Sequence, residues 1–167
     1  NQMKHVERNN RGGRKMNELQ AAVGLVVLDF IDEEREKRKR LIEVYQSCFS
    51  EIAGISFFTP PPHVKSNYQY MVIRINEEEF GWSRNEVYDE LKKYNVFSRK
   101  YFFPLCSDYA CYKSLPSSAA ANLPVARQVV QETLSLPLYG ELGENSAETI
   151  ATLVKMFGKV RKSRPGN

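Results

Sequence analysis

The sequence predicts an α+β fold, in which a long N-terminal helix precedes a two-layer domain with a three- to four-stranded, mostly antiparallel sheet and helices on one face. Two observations predict it. Apolar residues recur at helical spacing over residues 16–52, and short β-branched or aromatic runs alternate with helical segments over residues 53–160. The 167 residues are 42% hydrophobic and 26% charged, a globular composition that excludes a chain disordered throughout.

The long helix is predicted from apolar residues spaced three and four positions apart: Leu19, Ala22, Val23, Val26, Val27 and Phe30. Residues 21–28 are apolar nearly all round, so this part of the helix must be covered by a larger core or by another subunit. From Asp32 onward, acidic residues precede basic ones by one turn, which is typical of a solvated helix face. Residues 1–15 are polar and are interpreted as an arm before the helix.

Four segments carry strand signals: residues 55–59, 68–75, 96–103 and 134–138. The second is the strongest, because it is rich in aromatic and β-branched residues. The third ends at Pro104, and residues 107–122 beyond it are predicted to be irregular. Together these segments predict one small sheet.

Three shorter helices are predicted, over residues 84–94, 124–132 and 146–157. Residues 83–86 (SRNE) have the pattern of a capping box for the first of them. Pro124 suits the first turn of the second helix. Asn145 or Ser146 caps the last helix, and Gly158 is expected to end it before a basic tail over residues 161–167.

The composition also excludes several kinds of site. The net charge of +4 is too small to indicate nucleic-acid binding, and no run reaches the ~18 apolar residues of a membrane span. Two histidines and the absence of a CxxC pair argue against a metal site. Cys106 and Cys111 could pair, but free thiols in a reducing cytoplasm are favoured, so we expect a cytoplasmic protein.

No complete active site is visible, since the chain has no P-loop, no GxGxxG and no carboxylate pair apart from helix faces. Two segments are candidates for ligand binding. Residues 11–16 (RGGRKM) place cations before a helix N-terminus, which suits an anion such as phosphate, although these residues alone favour a solvated loop. Residues 98–105 (SRKYFFPL) place two cations beside three aromatic rings, which suits an anionic ligand that carries a ring. Alternatively, these aromatic residues face a core and the cations face water.

Four motifs resemble, in order and spacing, those of the DegT/DnrJ/EryC1/StrS family, whose members are pyridoxal-phosphate-dependent nucleotide-sugar aminotransferases of fold type I. Residues 15–25 (KMNELQAAVGL) resemble the family stretch (R/K)M-x-E-x-Q-A-A-x-G-L. Residues 99–105 (RKYFFPL), 124–126 (PVA) and 134–138 (LSLPL) match the following family motifs. The resemblance covers most of the chain, from about Lys15 to about Phe157.

The resemblance implies that this chain is the C-terminal portion of a homodimeric enzyme whose large N-terminal domain carries the cofactor. The catalytic lysine of the family has no counterpart here, so no catalytic residue is assigned and the chain alone is expected to be inactive. The family usually has Asn at the position of Gly13, where it reaches the cofactor phosphate across the dimer; here either Arg14 or Lys15 takes over that contact, or the loop is shifted, or the contact is lost.

The same resemblance assigns substrate binding to the segment around Arg99, with the site residues Arg99, Lys100, Tyr101 and Phe103. It implies a nucleotide-linked keto sugar as the substrate, an amino acid such as glutamate as the amino donor, and a role in cell-surface or secondary-metabolite polysaccharide biosynthesis. The alternative is a non-enzymatic interaction module, with the apolar helix as a dimer contact and the basic run at Arg35–Arg40 as a docking surface for an anionic partner.

Overall fold

The computed structural model describes residues 16–162, which leaves Arg14, Lys15 and residues 163–167 of the basic tail outside the described part. The chain divides into two units, Asn1–Glu34 and Arg35–Asn167. No helix among the described residues is long and apolar enough to cross a membrane.

Helix α1 (Glu18–Leu28) is the main element described in the first unit. Its N-terminus is closed by a capping box, in which the Gln20 amide donates to Asn17 Oδ1 at 2.8 Å and the Asn17 amide donates to Gln20 Oε1 at 3.0 Å. None of the residues of α1 is buried in this structure, and its apolar side chains Leu19, Val23 and Val26 are more than half exposed. The cover that the sequence predicts for this helix stays a prediction.

Helix α2 (Ile31–Phe49) follows α1 after a turn, so the prediction of one continuous helix over residues 16–52 is wrong at this point. The amide of Asp29 donates to the Val26 carbonyl at 3.3 Å, and the amide of Phe30 donates to the Val27 carbonyl at 3.2 Å. These three-residue hydrogen bonds tighten the backbone for one turn, which separates the two helices. The role of this region as a connection between domains stays a prediction.

The sheet of the second unit has three strands in the described part of the chain: β1 (Ile55–Phe57), β2 (Met71–Ile75) and β3 (Thr133–Leu136). They are antiparallel in the order β1-β2-β3, with Ile55 opposite Ile75 and Ile73 opposite Leu134. The predicted α+β class is confirmed. The fourth strand predicted over residues 96–103 is wrong, because only Arg99 pairs with β3, through an isolated bridge to Ser135.

The remaining helices are α3 (Glu77–Phe80), α4 (Arg84–Lys93), α5 (Pro124–Glu132) and α6 (Glu144–Lys162), with short 3-10 turns over parts of residues 106–122 and 140–142. The capping box predicted for α4 is confirmed, since Ser83 and Glu86 cap each other. The first turn of α5 contains Pro124, as predicted. The core between the sheet and the helices is built from large buried side chains, among them Tyr45, Phe49, Ile73, Phe80, Val87, Leu91, Leu134 and Val154.

The last helix differs from its prediction at both ends. It begins at Glu144, so Asn145 and Ser146 lie inside its first turn and do not precede it. It also continues past Gly158 to Lys162. A Cβ at Gly158 would lie 2.6 Å from Phe80 Cε2, so this glycine allows close packing against Phe80 and does not end the helix.

We expect the substitution Gly158→Ala to destabilise the protein by about 1–3 kcal/mol, because the buried Phe80 ring must move to make room for the added methyl group. The matched control is Gly24→Ala in α1, where an added Cβ meets nothing within 4 Å and alanine favours the helix. Urea denaturation of both variants measures the difference. Equal midpoints for Gly158→Ala and the parent chain would contradict the packing role.

Candidate functional site

The end of α4 sets the direction in which the following segment, residues 96–103, leaves the helix. Asn95 has φ +59°, its amide donates to the Lys92 carbonyl at 3.0 Å, and the Val96 amide donates to the Leu91 carbonyl at 3.1 Å. These two bonds form a Schellman motif with asparagine in the left-handed position, which reverses the chain so that it runs beside β3.

The segment touches β3 at one point only. The Arg99 amide donates to the Ser135 carbonyl at 2.9 Å, and the Ser135 amide donates to the Arg99 carbonyl at 2.8 Å. Beyond it, Phe102 has φ +41°, a conformation that a β-strand does not contain. This turn explains why the β-branched and aromatic composition of the segment does not produce a strand.

The four side chains predicted to bind substrate divide between two sides of this segment. Arg99 and Tyr101 line a cleft beside β3. Lys100 lies on the opposite side, with Nζ 4.3 Å from the centre of the Tyr88 ring of α4. The Phe103 ring also contacts α4, with its centre 5.1 Å from Cζ of Arg84. The structure therefore brings together two of the four predicted residues.

The cleft has a volume of about 330 Å³. Besides Arg99 and Tyr101, its lining includes Gln69, Tyr70 and Tyr139, together with residues 135–138 at the end of β3. Sequence analysis did not assign Gln69, Tyr70 or Tyr139 to a site. These side chains come from two distant parts of the chain. Tyr139 directly follows the LSLPL motif, and that position was a signal that could have been used.

Tyr70 and Tyr101 form the centre of the cleft wall. Their ring centres lie 4.8 Å apart at an interplanar angle of 70°, an edge-to-face arrangement. A hydrogen bond to Tyr101 raises the pKa of Tyr70, and the nearby positive charge of Arg99 partly opposes that rise. The Gln69 side-chain amide also donates to the Tyr70 hydroxyl at 3.1 Å. The phenol ring is thereby held by two neighbours.

A buried tyrosine supports the floor of the cleft from below. The Tyr45 hydroxyl of α2 donates to the Pro137 carbonyl at 3.1 Å, which fixes the chain directly after β3. Burial raises the pKa of Tyr45 well above its usual range, and the proximity of Tyr139 adds to the rise. The hydroxyl therefore stays protonated and keeps donating this bond at all ordinary pH values.

The lining of the cleft suits an anion that carries a ring more than it suits a covalently held cofactor. It presents the Arg99 guanidinium, three phenols and an amide, but no lysine, so a covalently bound pyridoxal phosphate does not fit here. The described residues contain no group of three or more His, Cys, Asp or Glu side chains that could hold a metal ion. Cys48, Cys106 and Cys111 are free thiols.

The chain is similar to nucleotide-sugar transaminases. It is 39% identical over 146 residues to dTDP-4-amino-4,6-dideoxy-D-glucose transaminase of Escherichia coli, an alignment that covers 87% of this chain and 38% of that enzyme. The crystal structure of DesI with its TDP-sugar product superposes with a TM-score of 0.79 at 28% identity, over 88% of this chain and 37% of DesI. The PLP form of a sugar aminotransferase, Spr1654 of Streptococcus pneumoniae, superposes with a TM-score of 0.77 at 25% identity. That match covers 88% of this chain and 37% of Spr1654.

The chain thus spans less than two fifths of the length of these relatives. The profile of the DegT/DnrJ/EryC1/StrS aminotransferase family matches residues 2–155, which is nearly all of the present chain. This chain therefore belongs to the DegT/DnrJ/EryC1/StrS aminotransferase family.

Proposed function

We propose that the chain is the C-terminal part of a pyridoxal-phosphate-dependent transaminase that moves an amino group from glutamate to a nucleotide-linked keto sugar. The observation that carries the proposal is that one cleft is lined both by the Arg99 guanidinium and by the phenols of Tyr70, Tyr101 and Tyr139. The similarity to enzymes of dTDP-linked sugars supports the substrate class. Such an enzyme would act in the cytoplasm, in the biosynthesis of polysaccharide or of a secondary metabolite.

The chemistry of the cleft matches the two halves of such a substrate. A guanidinium presents parallel N–H donors to phosphate oxygens, and Arg99 makes no ion pair with another described residue that would compete with them. Aromatic edges and faces pack against a sugar or a base, and tyrosine hydroxyls provide hydrogen bonds to sugar oxygens. We therefore assign Arg99 to the diphosphate and Tyr101 to the sugar or the base.

Pyridoxal phosphate would supply the electron sink for the amino transfer when bound. We place it outside the described cleft, because the lining lacks a lysine. In our proposal Arg14 or Lys15 contacts its phosphate. The catalytic lysine then belongs to a part of the protein that this chain does not include.

The exposed helix α1 supports a longer, dimeric protein. Leu19, Leu25 and Phe30 in and after this helix are 74%, 67% and 54% exposed, and a continuous apolar surface of this kind usually marks an interface. In our proposal the large domain of the same protein covers this surface, and two copies form the homodimer.

The alternative, a non-enzymatic module that docks through its basic run, is less favoured by the structure. Cations in this run already have acidic neighbours: Lys37 lies 3.3 Å from Glu141, and Lys39 lies 4.0 Å from both Glu36 and Glu43. Part of the positive charge of the run is therefore already paired within this chain, which weakens it as a surface for an anionic partner.

We expect Arg99→Ala, made in the complete transaminase that carries this segment, to lower kcat/KM for the nucleotide sugar by about 10- to 100-fold. The reason is the loss of one charge-assisted hydrogen-bonding group, which is worth about 1.5–3 kcal/mol. The matched control is Arg74→Ala, which removes an exposed pair with Glu132 and costs at most about 1 kcal/mol of stability. Steady-state kinetics and a melting curve are measured for both variants.

The control should leave kcat/KM unchanged. If Arg99→Ala lowers the melting temperature and not kcat/KM, then Arg99 is a structural residue and the cleft is not the substrate site. The cofactor absorbance should be the same in all three proteins, because Arg99 does not hold the cofactor in this proposal.

We also expect the pKa of Tyr70 to report the state of the cleft. Tyr101→Phe should lower it toward the ordinary value of about 10, because the hydrogen bond that favours the neutral phenol is lost. Arg99→Ala should raise it, because the opposing positive charge is lost. The hydrogen bond between Tyr70 and Tyr101 adds to folding stability below pH ~10. This added stability disappears as the pH rises through the raised pKa of Tyr70.

An NMR titration of the tyrosine Cζ resonances measures this pKa directly. Because Arg99 should contact the diphosphate, addition of a nucleoside diphosphate should shift the Tyr70 titration in the same direction as Arg99→Ala does. Identical titrations of Tyr70 in the parent chain and in Tyr101→Phe would show that the two phenols are not coupled.

The exposed surface of α1 predicts that this chain alone self-associates. Replacing Leu19 and Val26 by Glu should reduce the association, because each charge disrupts the apolar surface. The control is Val125→Glu in α5, where the side chain is 71% exposed outside that surface. Light scattering over a range of concentrations measures the mass. A parent chain that stays monomeric at high concentration would contradict the need for cover.

A further inference from the structure

Arg84 is the first residue of α4, and its side chain is among the most deeply buried in the described part of the chain, with 1% of its surface exposed. Its Nη1 donates to the Thr133 carbonyl at 3.0 Å, and its Nε donates to Asn85 Oδ1 at 3.1 Å. Nη2 has no hydrogen-bond partner among the described residues. Burial lowers the pKa of the guanidinium, although an arginine stays charged at neutral pH.

A buried charge without a carboxylate is costly, so its neighbours indicate what it does. The Phe103 ring lies over the guanidinium, with its centre 5.1 Å from Cζ. Arginine stacks well on aromatic faces, and here the guanidinium is buried while Phe103 stays 44% exposed. Arg84 therefore joins two points of the chain: the carbonyl at the start of β3 and the aromatic ring at the end of the segment 96–103.

The segment 96–103 has other contacts on its N-terminal side and at the cleft, where Val96 packs against the core and the Tyr101 ring meets that of Tyr70, but its end at Phe103 has few. Its backbone is paired with β3 only at the bridge between Arg99 and Ser135. Phe102 is in the left-handed region and its side chain is 80% exposed, so it does not hold the segment in place. The contacts of Lys100 with Tyr88 and of Phe103 with Arg84 both come from α4.

We propose that Arg84 is a positioning residue for the cleft: by linking the Phe103 ring to the Thr133 carbonyl, it fixes the segment 96–103, which presents Arg99 and Tyr101. That Arg84 orders the segment 96–103 is independent of the proposed function. That this ordering helps to bind the nucleotide sugar rests on the proposed function. If the segment moves, Arg99 and Tyr101 must be ordered when the ligand binds, and the affinity falls while the chemistry is unchanged.

Hydrogen exchange of this chain tests the structural part. In Arg84→Met the amides of Arg99 and Ser135 should exchange about tenfold faster, because the contact with Phe103 and the bond to Thr133 are both lost. The exchange rates of the β2 amides should rise only as much as the loss of global stability requires. Arg84→Lys, which keeps the charge without the planar group, should restore only part of the protection.

Two further variants separate positioning from general stability. Phe103→Leu leaves Arg84 and its bond to Thr133 in place, so it should fold even if Arg84→Met does not, and it should produce the same local acceleration at Arg99. Arg74→Met is the matched arginine control, and it should leave the exchange of Arg99 and Ser135 unchanged. Unaltered exchange at both amides in Phe103→Leu would overturn the proposal.

Kinetics of the complete transaminase test the part that concerns substrate. Arg84→Met or Phe103→Leu should raise KM for the nucleotide sugar about tenfold at unchanged kcat, with no effect on the cofactor absorbance. A KM unchanged in both variants, in an enzyme where Arg99→Ala does lower kcat/KM, would overturn the positioning role alone. If Arg99→Ala also has no effect, the proposed function fails, while the exchange measurement still decides the role of Arg84.

Discussion

The cleft depends on one constraint, which is that β3 is paired along both edges. On one edge Leu134 and Leu136 are opposite residues of β2, and on the other Ser135 shares two hydrogen bonds with Arg99. Leu134, Ser135 and Leu136 are all buried, so the strand cannot shift without disturbing the core. The cation that we assign to substrate is attached to β3 by a bridge of only two bonds. The cleft therefore combines a rigid floor with a weakly paired wall, which makes the side-chain contacts of that wall important.

The predictions from sequence succeeded where the signal was local. The capping box at Ser83 and the proline in the first turn of α5 depend on residues within one turn of each other. The strand over 96–103 failed because its composition gives no sign of the left-handed turn at Phe102. Gly158 failed for a different reason: glycine after a helical stretch usually ends a helix, but here it makes room for Phe80, which lies far away in the sequence.

In the candidate site, too, residues of one segment could be found from the sequence, whereas residues brought in from distant segments could not. Arg99 and Tyr101 were assigned to the site from the family resemblance and from the cations beside aromatic rings. They line the same cleft because they alternate along one extended segment. The same alternation puts Lys100 on the other side, where it contacts Tyr88. Tyr70 and Tyr139 could not be placed by local reasoning, because they reach the cleft only through the pairing of β2 with β3. Pairing between strands that lie some 60 positions apart is a property of the fold and not of any one segment.

Three arginines of this domain show how the surroundings decide what a guanidinium does. Arg74 is exposed and already paired with Glu132, whose pKa it lowers, so its charge has a partner within the chain. Arg84 is buried against a carbonyl and an aromatic ring, an arrangement that stabilises a geometry and leaves no access for a ligand. Arg99 is exposed at a cleft and has no carboxylate partner among the described residues. An anionic ligand does not have to displace an acidic residue from Arg99, whereas it would have to do so at Arg74. Of the three, Arg99 is therefore the one whose charge remains available to a phosphate.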